Sequence, residues 1–283
     1  MPEPGRQSRS VPASVRREAG CGREVTVRRF YQESWQGIPF SSFTHVAFFH
    51  LAGPKFYATF YEELFRRFAS WNDLPREWRI NKSKDARWLA EQIVAQRSAW
   101  EAEGGDAPSR VLSIGSGVGF MEKMLLDVLP DLELHVNEPS TVGMRWLRQC
   151  VPTERIYIGL PPACLPSDVQ YNVIYLSAVD YGIPTREFGH MLGELRAQLA
   201  PGGRLLCLSA SLLEEDSLIG SLVNGFKIGI RGVLHYLGIR RQQFWGWRRT
   251  RAEYHELFRN AGFVNIQDGH LDDGFETYWI GGE

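Results

Sequence analysis

The chain has 283 residues, enough for one large domain or two small ones, and its 43% hydrophobic and 23% charged content is that of an ordinary globular protein. Its 32 Lys and Arg residues nearly balance its 33 Asp and Glu residues, so the net charge gives no support for a nucleic-acid partner. The four cysteines have no metal-ligand spacing, and no apolar run approaches the roughly 20 residues that cross a membrane. These features exclude a disulfide scaffold and a transmembrane protein, and we expect a cytoplasmic protein without a metal site.

The N-terminal part divides into two predicted segments. Residues 1–24 are polar and rich in arginine, without hydrophobic periodicity, and predict a disordered leader. Residues 25–107 predict a helical extension that covers a pocket, because aromatic and apolar residues recur at three- and four-residue steps over 55–69. A second helix is predicted over 83–100 with Ser83 as its N-cap.

The remainder of the chain, residues 108–283, alternates short apolar strands with helical stretches. This alternation predicts an α/β fold with a doubly wound, mostly parallel sheet that has helices on both faces. A capping box over 250–253 predicts the start of the last helix, Gly262 is placed to end it, and the two strands that follow are close enough to pair antiparallel. The predicted strands are 110–114, 132–137, 155–158, 171–176, 204–209, 263–267 and 275–280, and the earlier predicted helices are 119–129, 140–149 and 186–199.

A glycine-rich turn follows the first strand of this sheet. Gly115, Gly117 and Gly119 allow the backbone to turn sharply and to approach a ligand closely, although a tight turn without a ligand has the same residues. Phe120 stands where a dinucleotide fingerprint requires glycine, so the spacing favours a nucleoside without a pyrophosphate. Glu138, at the end of the next strand, can accept hydrogen bonds from both ribose hydroxyls. Together these residues predict a nucleoside site.

The sequence resembles a known family at four places. Residues 111–119, followed by Glu138, resemble the first two motifs of the class I S-adenosylmethionine-dependent methyltransferases. Residues 171–180 look like the fourth-strand motif of that family, 199–209 are similar to its turn into the fifth strand, and 260–264 match its entry to the sixth strand. The resemblance implies a seven-stranded sheet with an antiparallel last strand and S-adenosylmethionine across the carboxyl ends of the first, second and fourth strands.

Two of the implied cofactor residues depart from the family pattern. Ser113 stands where an acid often precedes the first glycine, and Leu160 stands where an acid often lies near the adenine. Ser113 can still form one hydrogen bond, and Leu160 can pack against the base. The resemblance implies the following cofactor-binding residues: Ser113, Gly115, Ser116, Gly117, Gly119, Glu138, Pro139, Leu160 and Ser177.

Catalytic residues are expected just beyond the fourth strand, where Asp180 and Tyr181 form a polar pair. Methyl transfer is an in-line displacement in which the protein aligns a nucleophile and, where needed, removes its proton. Asp180 could act as the base or bind a substrate amine, and Tyr181 could bound the pocket or donate a hydrogen bond. A helix-capping Asp and a core Tyr are the structural alternative.

An insertion over about 212–249 lies where the family usually has a lid over the acceptor. The stretch from 225 to 251 has seven basic residues and no acid, with aromatic residues among them. His235, Trp245 and Arg248 are the predicted substrate-binding residues, suited to an anionic or aromatic metabolite. A solvated basic face is the alternative, and a basic amphipathic helix could also contact a membrane surface that presents a lipid-like acceptor.

The sequence therefore favours methyl transfer to a small-molecule acceptor, with the acceptor atom and the oligomeric state left open. A non-catalytic cofactor-binding or scaffold protein with the same fold is a second hypothesis, motivated by Ser113 and Leu160. Methylation of a nucleic acid or a protein is a third, and the near-neutral net charge argues against it.

Overall fold

The computed structural model describes the two helices of the N-terminal extension and most of the α/β part of the chain. The predicted leader and most of the predicted lid insertion lie outside the described residues. The structure describes residues 29–32, 34–35, 38–39, 53–102, 104, 109–209, 211–213, 226, 229–230, 233–234, 237, 239, 244–271 and 277–282.

The described elements alternate between helices and strands from residue 110 onward. The strands are β1 (Arg29–Gln32), β2 (Ser34–Trp35), β3 (Ile38–Pro39), β4 (Arg110–Ile114), β5 (Glu133–Glu138), β6 (Ile156–Ile158), β7 (Tyr171–Ser177), β8 (Leu199–Ser209), β9 (Phe244–Trp247), β10 (Val264–His270) and β11 (Thr277–Gly282). The helices are α1 (Pro54–Arg67), α2 (Arg76–Ala102), α3 (Phe120–Val128), α4 (Met144–Leu147), α5 (Thr185–Arg196) and α6 (Arg251–Asn260), with 3-10 turns at Trp71–Asp73, Thr153–Arg155 and Asp180–Gly182.

Seven strands form one sheet in the order β10-β11-β8-β7-β4-β5-β6. Neighbours from β8 to β6 pair in parallel, and β11 pairs antiparallel with both β8 and β10. The predicted fold class is therefore confirmed, including the antiparallel last strand. Two short antiparallel pairs, β1 with β9 and β2 with β3, lie outside this sheet.

The central strands are buried on both faces, as their continuous apolar sequences require. In β7, Val173 and Tyr175 belong to the core cluster beneath α2 and α3. The alternate residues Ile174 and Leu176 belong to the cluster beneath α5 and α6. Because side chains alternate along a strand, the two faces carry separate cores, and the carboxyl ends of β4, β5 and β7 meet at one edge.

The start of the second helix differs from the prediction. α2 begins at Arg76, so Ser83 lies inside it rather than at its N-cap. The Ser83 hydroxyl donates to the Arg79 carbonyl at 2.7 Å, a hydrogen bond that a serine can form within a helix. Leu89 and Ile93 pack this helix against the sheet.

The predicted capping box of the last helix is present. The Thr250 side chain accepts from the Glu253 backbone N–H, and the Glu253 carboxylate accepts from the Thr250 backbone N–H at 2.9 Å. Gly262 follows the helix with φ of +88°, the left-handed conformation that commonly ends a helix. None of the described helices is both long enough and apolar enough to cross a membrane.

α1 packs across the turn that follows β4. Tyr61, Leu64 and Phe65 of α1 form a core cluster with Val118 and Trp146, among other residues. This packing buries the aromatic face that the sequence periodicity indicates. As a result, α1 lies next to the carboxyl-terminal edge of the sheet.

Candidate functional site

The glycine turn is fixed to the neighbouring strand by its own backbone. The Gly115 and Ser116 N–H groups both donate to the Asn137 carbonyl, at 2.9 and 3.0 Å. Gly117 has φ of +61°, which other residues rarely adopt, and a Cβ at Gly115 would lie 2.6 Å from a methyl carbon of Val179. The turn therefore requires glycine both for its conformation and for its close approach to the loop after β7.

The Glu138 carboxylate lies against this turn and is almost completely buried, with 1% of its surface exposed. Its Oε2 accepts from the Gly117 N–H at 2.9 Å and from the Tyr61 hydroxyl at 3.3 Å, and its Oε1 accepts from the Ser140 N–H at 3.1 Å. Burial raises the pKa of Glu138 to about 8, although these hydrogen bonds act in the opposite direction. The carboxylate is thus held in place by donors from three different segments.

A cavity of about 240 Å³ opens between the glycine turn, α1 and α2, and we call it the glycine-loop cavity. Seven of the predicted cofactor-binding residues line it: Ser113, Gly115, Ser116, Gly117, Glu138, Pro139 and Ser177. Tyr181, predicted as catalytic, also lines it. The tertiary structure therefore gathers predicted site residues that are up to 68 positions apart in the sequence, from Ser113 to Tyr181, around one cavity.

A second cavity of about 270 Å³ adjoins the first and shares Gly115 and Pro139 with it, and we call it the Leu160 cavity. Leu160, Val179 and Met191 give it a largely apolar lining, and Pro139 borders both cavities. Gly119 is not among the residues described as lining either cavity. A Cβ at Gly119 would lie 2.6 Å from Leu147 Cδ2, so glycine at this position allows α4 to pack closely against the turn.

The position of Asp180 disagrees with its predicted role as a base over the transferred methyl group. Asp180 has no exposed surface and is not among the residues described as lining either cavity. Its Oδ2 already accepts from Ser209 at 2.7 Å, from Ser211 at 2.9 Å, and from the Tyr254 hydroxyl. Arg249 NH1 donates to the Asp180 carbonyl at 2.9 Å and lies 3.8 Å from Oδ2. The buried Asp180 carboxylate therefore stabilises the loop after β7 and is not accessible to a substrate.

The predicted substrate-binding residues are not brought to the cavities by the described part of the chain. His235 lies outside the described residues. The backbone of Trp245 in β9 pairs with that of Tyr31 in β1, and the side chain of Trp245 lies outside the described part of the structure. Arg248 is half-buried and is not among the described residues that line either cavity.

Several polar residues of the glycine-loop cavity were not predicted from the sequence, among them Tyr57 and Tyr61 of α1, Lys82 of α2 and Glu122 of α3. The available signal for Glu122 was a single acid among the apolar residues that begin α3. The available signal for Lys82 was an acid three positions later, Asp85, which lies on the same helix face. The two tyrosines belonged to an aromatic periodicity that indicates packing equally well.

Comparisons with known proteins agree with this architecture. No family model matches the sequence, and no curated protein matches it significantly. A solved structure of a proposed O-methyltransferase from Nostoc punctiforme superposes with a TM-score of 0.51 at 14% identity, covering 81% of this chain and 60% of the other. An amino pentose methyltransferase from Micromonospora echinaspora with S-adenosylmethionine bound superposes with a TM-score of 0.49 at 15% identity, covering 71% of this chain and 91% of its own.

Human N-acetylserotonin methyltransferase, in complex with S-adenosylmethionine, gives a TM-score of 0.44 at 17% identity, covering 79% of this chain and 58% of its own. The chain thus spans about 60% of the length of the Nostoc protein. The strand order, the glycine turn with its acidic partner on β5, and the superposition on the Nostoc structure together identify the fold of this chain as the Rossmann-like fold of the class I S-adenosylmethionine-dependent methyltransferases.

Proposed function

We propose that this protein binds S-adenosylmethionine and transfers its methyl group to a small-molecule acceptor with an aromatic ring. The observation that carries the proposal is the convergence of the glycine turn and the Glu138 carboxylate in one cavity. A fixed carboxylate beside a glycine turn suits a ribose, because it can accept hydrogen bonds from both hydroxyls of the sugar.

The residues present fit the rest of an adenosyl group. The Leu160 cavity adjoins the glycine-loop cavity through Pro139 and has an apolar lining suited to a flat base. Leu160, where the family often has an acid, contributes to this apolar surface. We infer that the adenine occupies the Leu160 cavity and that the ribose lies at Glu138.

The charges around the glycine-loop cavity suit a cation. Glu122 and Glu138 line it with Lys82, so two carboxyl groups face one ammonium group. Burial raises the pKa of both carboxyls, and a cation bound in the cavity would favour their ionised forms. The bound cofactor would supply an electrophilic methyl group on a positively charged sulfur.

Tyrosine side chains are the described polar groups placed to orient an acceptor. Tyr57 and Tyr181 both line the glycine-loop cavity, and Tyr57 also borders the Leu160 cavity. Burial, the Tyr181 side chain and Glu138 all raise the pKa of Tyr57. Its hydroxyl therefore stays protonated and acts as a donor, so we propose that these residues catalyse by holding the acceptor in line with the methyl group.

The lining of the cavity favours an aromatic acceptor over an anionic one. Aromatic rings from three helices and a short strand face the space, and rings of this kind pack well against a flat substrate. Arg248, which the sequence suggested for an anion, is not among the described residues that line it. The aromatic residues of these elements are Trp35, Phe56, Tyr57, Phe60, Tyr61, Trp78 and Phe120, and Tyr175 of β7 and Tyr181 of the following turn also line the cavity.

A non-catalytic role is the second candidate, and the Tyr61 hydroxyl on Glu138 is the observation that favours it. This hydroxyl donates to Oε2 of the carboxylate that we assign to the ribose. In a protein that had lost the cofactor, such a contact would replace the ligand.

Calorimetric titration with S-adenosylhomocysteine tests the proposal. We expect binding to the purified protein, followed by methylation of at least one member of a panel of phenols and aromatic amines, detected by mass spectrometry. Absence of binding would overturn the proposal, and binding without turnover across the panel would support the non-catalytic candidate.

A further inference from the structure

Glu122 has an oxygen whose hydrogen-bonding capacity is not used by the described residues. It lies in the first turn of α3 with 2% of its surface exposed, and it lines the glycine-loop cavity. Its Oε1 accepts from the Ser113 hydroxyl at 2.6 Å and from the Tyr175 hydroxyl at 2.8 Å. Its Oε2 is buried and has no hydrogen-bond partner within the described part of the chain. A buried acceptor without a hydrogen-bond donor destabilises the folded protein, so we expect a donor at that position.

Lys82 places a positive charge on the wall of the same cavity. The residue is 9% exposed, and its Nζ donates to Asp85 Oδ2 at 2.9 Å and to the Ser177 hydroxyl at 3.1 Å. Burial raises the pKa of Glu122, and the charge of Lys82 is among the influences that lower it, so the two groups interact through space. The cavity therefore presents a carboxylate and an ammonium group close to one another.

We propose that Glu122 and Lys82 form a subsite for an α-amino acid group, in which Glu122 Oε2 accepts from the ligand ammonium and Lys82 attracts the ligand carboxylate. The inference rests on the proposed function, because S-adenosylmethionine ends in such a group. A ligand with both charges satisfies the buried carboxylate without adding a net charge to the cavity.

This assignment accounts for Ser113. The sequence resemblance places an acid at position 113, on the strand itself, and this chain has serine there. The Ser113 hydroxyl donates to Glu122, so the carboxylate reaches this space from α3 while the strand supplies the hydrogen bond that orients it. Ser113 and Tyr175 are therefore positioning residues, and Glu122 is the residue that contacts the ligand.

The first test compares three ligands on the wild-type protein by calorimetry. S-adenosylhomocysteine has the complete amino-acid end, its decarboxylated form keeps only the amine, and methylthioadenosine has neither charge. We expect affinity to fall in that order, by about tenfold or more over the series. Equal affinities for the three ligands would overturn the subsite while leaving the nucleoside site intact, and a lack of binding by all three would overturn the proposed function itself.

The second test is the variant Glu122→Gln, which keeps the shape of the side chain and places an amide donor toward the ligand ammonium. We expect affinity for S-adenosylhomocysteine to fall about tenfold or more, and affinity for methylthioadenosine to change less than about twofold. Asp127→Asn is the matched control, because it removes the same charge from an exposed position of α3, and it should alter neither affinity.

The two ligands separate a binding role of Glu122 from a structural one. An equal loss for S-adenosylhomocysteine and methylthioadenosine, or no loss for either, would contradict the inference. If the Glu122→Gln protein does not fold, the three-ligand series on the wild-type protein still decides between the outcomes.

Discussion

The Tyr61 hydroxyl of α1 donates to Glu138 Oε2 at the end of β5, across 77 positions of sequence and a distance of 3.3 Å. The same oxygen accepts from the Gly117 N–H, so one carboxylate oxygen joins the N-terminal extension to the glycine turn. Burial and the neighbouring Glu138 charge raise the pKa of Tyr61, which keeps its hydroxyl a donor. If a ribose binds at Glu138, Tyr61 competes with it for this oxygen.

Replacing Tyr61 with Phe should therefore strengthen cofactor binding. The net contribution of one hydrogen bond is about 0.5–1.5 kcal/mol, so we expect the dissociation constant of S-adenosylhomocysteine to fall roughly two- to tenfold in calorimetry. Tyr57→Phe is the comparison, since Tyr57 borders the same cavity without a described hydrogen bond to Glu138. Weaker binding by the Tyr61→Phe protein would mean that Tyr61 supports the ligand and does not compete with it.

Replacing Glu138 with Ala should weaken cofactor binding. Each hydrogen bond from a ribose hydroxyl to the carboxylate is worth about 1.5–3 kcal/mol, so the dissociation constant should rise about tenfold or more. The same titration on Glu154→Ala, an exposed acid, should give the wild-type value. Unchanged affinity in the Glu138 variant would show that the ribose does not bind there.

The pH dependence of stability should also depend on Glu138. The pKa of its carboxyl rises from 4.5 to about 8 on folding, so the folded chain keeps a proton that the unfolded chain releases. The resulting stabilisation is complete below about pH 4.5 and is lost as the pH rises toward about 8. Melting temperatures of the ligand-free protein and of Glu138→Gln, measured between about pH 5 and pH 8, should show the wild type losing stability relative to the variant. A constant difference between the two would contradict this prediction.

The network around Asp180 should contribute to stability. Replacing Arg249 with Leu leaves the fully buried Asp180 carboxylate without its cation and should lower the free energy of unfolding by about 3–5 kcal/mol in urea denaturation. Arg251→Ala is the control, because that arginine is largely exposed and pairs with Asp268 at the surface, where such pairs contribute less than about 1 kcal/mol. Similar losses of unfolding free energy for the two variants would show that the buried pair contributes no more to stability than the exposed pair.

Much of the fold follows from local patterns in the sequence. β4 was predicted at its observed bounds, and the other sheet strands were predicted within a few residues, because their apolar runs are short and separated by turn signals. β8 begins five residues before the predicted start, since Leu199 already pairs with Tyr171 of β7 ahead of an irregularity in the register. The glycine turn and Glu138 could be located because their spacing follows from the strand–turn–helix connection itself.

The sequence by itself determined the order of strands and helices and the position of the glycine turn, because hydrophobic periodicity and turn residues act over short stretches of chain. Only the tertiary structure decided which polar side chains share the cavity. Lys82, Glu122 and Tyr61 lie on amphipathic helices, and a helix turns a residue toward a core or toward a cavity according to its rotation on the sheet. That rotation is set by packing between distant segments, which also buries Asp180 against Arg249 and removes it from the site.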